Sequence, residues 1–179
     1  IEAEVKSLLQ RGVKEINLVA QDTTAYGEDS DGAFNLATLL SRLDRLAGEF
    51  WIRLFYTYPA SINEELLTTI KESQHVCHYL DLQHASTAVL KRMGRRSTQQ
   101  EIRELITRIR RFLPEVAIRS TFILGYPGET EEDFNELLTF LGEMELDWVG
   151  VFPYCREQGT AAARLPAQIH HATKKRRAR

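Results

Sequence analysis

Side chains suited to holding a polar ligand are concentrated in five short segments of the chain. They are Gln21-Asp-Thr-Thr-Ala-Tyr-Gly27, Tyr56-Thr-Tyr-Pro59, Gln83-His-Ala-Ser86, Arg119-Ser-Thr-Phe-Ile-Leu-Gly-Tyr-Pro-Gly-Glu-Thr130 and Phe152-Pro-Tyr-Cys-Arg-Glu-Gln-Gly-Thr160. Each mixes amides, carboxylates, hydroxyls or aromatic rings. The fourth is the most informative, because an apolar β-run ends there in a Gly-Tyr-Pro-Gly-Glu turn that opens a helix. Turns of this kind bring backbone N–H groups and a helix N-terminus to one place, which suits ligand binding. The same turn also has a purely structural reading, with Gly125 and Gly128 only letting the chain reverse and Thr130-Glu-Glu-Asp133 capping the helix. His84 is read as a satisfied polar residue rather than a base, and no residue is assigned a catalytic role.

The elements that would position these segments alternate. Amphipathic helices are expected near residues 1–11, over the stripe Leu36, Leu39, Leu40, Leu43 and Leu46, after a cap at Ser61-Ile-Asn-Glu64, and near Thr87–Arg92. Two more follow the boxes Thr98-Gln-Gln-Glu101 and Thr130-Glu-Glu-Asp133. Strands are expected at Glu15–Ala20, Trp51–Tyr56, Tyr79–Leu82, Ala117–Leu124 and Trp148–Phe152. Strands separated by helices imply β-α-β units and a parallel sheet. The loaded segments then fall at strand carboxyl ends, where such architectures bind ligands. The tail from Gly159 to Arg179 reads as looser and ends in a basic run.

Period two sorts each strand into faces. One face of each is apolar enough to pack on helices. The other repeatedly carries polar groups: Asn17, Gln21, Arg53, Thr57, Asp81, Gln83, Arg119 and Thr121. A sheet covered by helices on both sides reads as continuous apolar runs instead. The pattern favours a curved sheet with a polar, ligand-filled concavity, a partial barrel, over a doubly wound open sheet. The competing reading is a few structural pairs, such as Arg53 or Arg119 with Asp81.

Composition sets the outer bounds. With 179 residues the chain is about one domain. A net charge of −2 provides no global attraction for nucleic acid or anionic membrane. No apolar run approaches the roughly 20 residues that span a bilayer. The two cysteines, Cys77 and Cys155, have no metal-ligand spacing, so reduced thiols in a cytoplasmic protein are expected and no metal ligand is assigned. The basic run Lys174-Lys-Arg-Arg-Ala-Arg179 reads as a solvated helix end or a connection to a further domain, rather than a nucleic-acid site. The chain opens inside an amphipathic pattern and without Met, which suggests a piece of a longer protein.

Four motifs then occur in order: Val19-Ala-Gln-Asp-Thr-Thr-Ala-Tyr-Gly27; Tyr79-Leu-Asp-Leu-Gln-His-Ala-Ser86 with Val89-Leu-Lys-Arg-Met-Gly-Arg95; Thr121 to Phe134; and Gly150-Val-Phe-Pro-Tyr154 with Glu157-Gln-Gly-Thr160. Together, over roughly residues 1–166, they resemble the radical-SAM methylthiotransferase family. The Ala-Gln-Asp-Thr-Thr and Gln-His-Ala-Ser forms are most similar to the branch that modifies an aspartate of a small-subunit ribosomal protein. The tRNA-modifying branch is the alternative, and a non-catalytic α/β ligand-binding module is the alternative of another class.

The resemblance implies an α/β fold: a partial (β/α)6 TIM-like barrel, here lacking its first strand, with residues 167–179 as a basic tail or the start of a connection. It implies S-adenosylmethionine (SAM) and 4Fe–4S clusters as cofactors, a reductant for the cluster, a ribosomal protein as substrate and no membrane partner. It implies chemistry that starts with a 5′-deoxyadenosyl radical and belongs to the cofactors. Carried over by position, Gln21 and Asp22 meet the SAM amino group, Arg119 its carboxylate, and Gly125, Glu129, Phe152 and Tyr154 border the nucleoside. Two departures follow. The C-x-x-x-C-x-x-C cluster loop is absent from this chain, which by itself is therefore not expected to assemble a cluster. The family's Leu-Asp-Ile-Pro-Leu-Gln-His is shortened here to Leu80-Asp-Leu-Gln-His84, which keeps the alternation of faces but shortens the approach to His84.

Overall fold

The computed structural model describes residues 1–29, 34–80, 84–114 and 116–179, with the backbone alone for 77–80. Asp81 and Gln83, expected on the polar face, lie outside these residues. The described elements are α1 (Glu2–Gln10), β1 (Glu15–Leu18), α2 (Leu36–Leu43), β2 (Trp51–Thr57), a 3₁₀ turn (Pro59–Ser61), α3 (Glu64–Glu72) and β3 (Val76–Leu80). They continue with α4 (Thr87–Arg92), α5 (Gln99–Phe112), β4 (Arg119–Leu124), α6 (Glu131–Met144), β5 (Trp148–Pro153), α7 (Ala161–Arg164) and α8 (His171–Arg177). They form two compact units, residues 1–81 with 107–118, and residues 82–106 with 119–179.

In the first unit a parallel sheet runs in the order β1-β2-β3. Ile16, Ile52 and Leu54 share its buried face, and Leu40, Leu43, Leu67 and Ile70 from α2 and α3 are buried with them. Helix caps are local and strong: Asn35 Oδ1 accepts from Thr38 N at 2.8 Å, and Asn63 Oδ1 from Leu66 N at 2.9 Å. The α3 cap is thus Asn63 rather than Ser61, which lies in the 3₁₀ turn set by Pro59. β3 begins at Val76, three residues before the expected start.

One expectation about faces is overturned here. Strict alternation groups Thr57 with Arg53 and Phe55. The β2–β3 register instead advances three residues on β2, from Leu54 to Thr57, against two on β3, from His78 to Leu80. That is a bulge, and Tyr56 sits in it at φ 56. Thr57 therefore returns to the face of Leu54 and is fully buried. Arg53 makes an ion pair with Glu15 Oε2 of β1 at 2.8 Å, a partner the strand pattern had not singled out.

In the second unit β4 and β5 pair in parallel, Arg119 opposite Trp148 through Leu124 opposite Pro153. Ser120, Phe122 and Leu124 are buried, together with Leu137 and Phe140 of α6 and Val89 and Leu90 of α4. The box at Thr98 and Glu101 opens α5, and that at Thr130 and Asp133 opens α6. The final segment is more ordered than its composition suggested, since α7 and α8 both lie in it. Among the described residues no helix is long and apolar enough to cross a membrane.

The two rings of the β4–β5 pair differ sharply: Phe122 is fully buried and Phe152 is 64% exposed. Replacing Phe122 by Ala is expected to cost about 3–5 kcal/mol of stability. Phe152→Ala is expected to stay within about 0.5 kcal/mol, both read from urea unfolding midpoints.

Candidate functional site

The loaded strand ends of the first unit are laced to one another. Thr23 N donates to Tyr56 O at 3.1 Å, Thr23 Oγ1 to Phe55 O at 2.7 Å, and Tyr58 N to Thr24 Oγ1 at 3.1 Å. The left-handed bulge at Tyr56 is what turns that carbonyl toward Thr23. Asp22 Oδ1 accepts from Thr24 N at 2.9 Å and from the Thr24 hydroxyl, closing a local turn. Gln21 is exposed and Asp22 part-buried, so the end of β1 presents an amide and a carboxylate on a hydrogen-bonded loop.

In the second unit the third and fourth motifs are stapled together. Ser86 Oγ donates to Asp133 Oδ1 at 2.5 Å. Asp133 Oδ2 accepts from Thr130 N at 2.9 Å, from Thr130 Oγ1 at 3.1 Å and from Arg92 Nη2 at 3.1 Å. Burial alone would raise the Asp133 carboxyl. The hydrogen bonds from Ser86 and Thr130, with the nearby Arg92 guanidinium, hold it below the usual carboxylate range. This residue thus caps α6 and ties Gln83-His-Ala-Ser86 to the Gly-Tyr-Pro-Gly-Glu turn.

The turn itself is built around a buried carboxylate. The Glu129 side chain is 0% exposed. Its Oε2 accepts from Gly125 N at 2.8 Å and lies 3.5 Å from His84 Nε2. Its Oε1 is bonded to Arg177 Nη1 of α8. Arg177 also reaches Glu131 Oε2 at 2.7 Å and lies over the Phe134 ring. Gly125 and Gly128 both have left-handed φ, 71° and 78°. A side chain on Gly125 would also collide with Lys174 Cγ of α8, so glycine is needed there twice over. Gly128 N donates to Ala167 O at 2.9 Å, and Lys174 Nζ to Tyr154 O at 2.9 Å.

Beside the turn, Phe152 pairs across from Ile123 at the carboxyl ends of β4 and β5. Tyr126 and Tyr154 meet edge to face at 5.3 Å. Burial, with the neighbouring Tyr154 hydroxyl adding to it against Arg92, pushes the Tyr126 phenol up, so it remains a proton donor, here to Arg92 O at 3.3 Å. Among the described residues the buried Tyr154 hydroxyl has no hydrogen-bond partner. The second unit therefore brings Gly125, Glu129, Phe152 and Tyr154 to one end. It does not bring Arg119 there. Arg119 opens β4, about 16 Å of strand from the turn at roughly 3.3 Å per residue, and is exposed. Alternation placed it on the intended face, but a face does not specify an end.

Sequence reasoning missed Arg177, Arg92 and Lys174 as site-building residues. The first and last stood in a run read as solvated. Among the described residues no group of three or more His, Cys, Asp or Glu is placed to hold a metal ion, and Cys155 is a free, exposed thiol.

Asp133→Asn removes the charged acceptor from a donor-rich, buried position, so a loss of about 1–3 kcal/mol at pH 7 is expected. The folded carboxyl is lowered, so its contribution is complete above the unfolded value near about 4 and vanishes as pH falls through the folded one. The gap between wild type and variant should close on acidification, read by urea unfolding across pH. Gly125→Ala is expected to cost at least about 1 kcal/mol from backbone strain alone.

The model of the radical SAM superfamily matches residues 1–141. The ribosomal protein uS12 methylthiotransferase RimO of Geobacter sulfurreducens is 51% identical over 177 residues, covering 98% of this chain and 40% of that protein. The RimO proteins of Moorella thermoacetica and Alkaliphilus oremlandii are 51% and 48% identical, each over 98% of this chain and 41% of theirs. The chain thus spans about two fifths of the length of these curated relatives. Among solved structures, the radical SAM methyltransferase TsrM of Kitasatospora setae, with cobalamin and a [4Fe-4S] cluster bound, superposes with a TM-score of 0.66 at 17% identity, over 87% of this chain and 30% of that one. SuiB of Streptococcus suis bound to its precursor peptide gives 0.64 at 16% identity, over 98% and 36%. These two likenesses concern the fold: mixed α/β with parallel strands, of the TIM-like barrel type, present in part. With the family model covering more than half of the sequence, the chain belongs to the radical SAM superfamily.

Proposed function

We propose that this chain is the core of a ribosomal protein methylthiotransferase, acting in the cytoplasm on an aspartate of a small-subunit ribosomal protein. The observation that carries the reading is identity near one half, over almost the whole chain, to proteins named RimO. The Gln-Asp-Thr-Thr, Gln-His-Ala-Ser and Gly-Tyr-Pro-Gly-Glu motifs all lie within it.

The residues of the second unit suit the nucleoside of SAM. Phe152 is a large ring left exposed beside half-buried Ile123, an apolar step of the kind a flat base covers. Tyr154 keeps a buried hydroxyl without a hydrogen-bond partner among the described residues. The Gly125 backbone leaves no side chain at the head of the turn. Glu129, whose oxygens are committed inside the protein, contributes by holding that turn rather than by touching the ligand. In the first unit Gln21 and Asp22 offer oxygen acceptors suited to an ammonium group. Bound together, SAM and a reduced iron–sulfur cluster supply radical chemistry at an unactivated carbon, and a protein reductant is required. The residues of this chain orient the ligand and exclude water around it.

The test uses the full-length protein, reconstituted without oxygen from iron and sulfide. Visible cluster absorbance, reductive cleavage of SAM and the mass gain of one methylthio group on the ribosomal protein are expected. A modified tRNA nucleoside instead would move the assignment to the tRNA branch. Absence of both cluster absorbance and SAM cleavage would leave a non-catalytic ligand-binding module.

A further inference from the structure

The Glu129 carboxylate has no solvent exposure and is enclosed by protein groups. Its neighbours come from three separate stretches of the second unit: the Gly125 amide, the His84 ring and the Arg177 guanidinium. The His84 tautomer follows from its other nitrogen. Ser86 N donates to Nδ1 at 2.9 Å, so Nδ1 carries no proton and the ring N–H lies on Nε2, on the side of Glu129. Among the described residues that N–H is buried and makes no hydrogen bond, its nearest charged group being the Glu129 carboxylate at 3.5 Å. Arg177 is nearly as buried, its side chain 4% exposed. It answers the Glu129 charge while its second nitrogen engages Glu131 at the first turn of α6. A guanidinium fork serves two carboxylates at fixed angles, which an ammonium does not.

We propose that Arg177 and His84 are positioning residues that hold the Gly125–Glu129 turn in its ligand-binding shape by clamping the Glu129 carboxylate. The inference rests on the reading of that turn as a wall for SAM. Without Arg177, Glu129 becomes an uncompensated buried charge, the condition that forces a site to reorganise. The Gly125 amide shares that carboxylate, so reorganisation reaches the turn backbone directly. Lys174, one helical turn before Arg177, packs its stem on Gly125 and bonds Tyr154 O. Both sides of the candidate wall are therefore referred to α8. The basic run at the end of the chain acts here through burial and geometry, not as a surface charge.

The experiment compares wild type, Arg177→Leu, Arg177→Lys, His84→Phe and a core control, Leu137→Ala, in the reconstituted full-length protein. SAM affinity is measured by equilibrium dialysis, and amide exchange is followed on the peptide containing Gly125–Glu129. Arg177→Leu should weaken SAM binding by about tenfold to a hundredfold, the scale of a small misplacement in a site, and should speed exchange at that peptide. Arg177→Lys, with charge but no fork, should fall between. His84→Phe should speed exchange at the same peptide. Leu137→Ala should lower the melting temperature and leave SAM affinity unchanged. Wild-type affinity and exchange in both Arg177→Leu and His84→Phe would overturn the inference. So would an equal loss of affinity in Leu137→Ala. If Arg177→Leu does not fold, unchanged affinity and exchange in both Arg177→Lys and His84→Phe overturn it as well. Failure of wild type to bind SAM overturns the reading of the turn itself, a different outcome.

Discussion

A carboxylate removed from water must be answered by charge and hydrogen bonds, and in the second unit that requirement falls on Glu129. Its partners are a backbone amide, an imidazole and a guanidinium drawn from positions 125, 84 and 177. An isolated buried charge is too costly to persist. Once the chain places Glu129 inside, the loop before α4, the turn after β4 and the helix α8 must therefore all be present together. The turn at Gly125–Glu129, the cap of α6 and the placement of Tyr154 depend on this arrangement. Asp133 repeats the device one helical turn later, gathering Ser86, Thr130 and Arg92.

The first unit reaches rigidity by another route. Its strand-end loops are tied through backbone groups, Thr23 to Tyr56 O and to Phe55 O, and Tyr58 N to Thr24. The left-handed residue at Tyr56 and the extra residue in β2 aim those carbonyls. Strain of this kind persists where surrounding bonds over-determine it. Both units thus tie their strand-end segments together through hydrogen bonds.

Much of the architecture was legible because it is encoded over short distances. The boxes at Thr98/Glu101 and Thr130/Asp133 need only residues three apart. The helix stripes and the buried faces of β1 and β4 follow from simple periods. What failed were features that break a period or join distant positions. Ser61 is a plausible cap residue, but Pro59 starts a 3₁₀ turn and hands the cap to Asn63. Thr57 changes face because one inserted residue resets the alternation. Arg119, expected to meet the SAM carboxylate, lies on the face that alternation gave it and opens β4, at the other end of that strand from the turn.

The motif segments, their order and their position at strand ends were determined by the sequence alone, because residue type and spacing suffice to specify turns, caps and amphipathic faces. The family resemblance rested on the same local patterns. Only the tertiary structure decided that the Glu129 side chain is a buried hub, and that Arg177 belongs inside while Lys175 and Arg176 remain exposed. A run of four basic residues carries no mark of which one turns inward. That choice is made by an acidic partner 48 residues away and by the cost of leaving that partner's charge uncompensated.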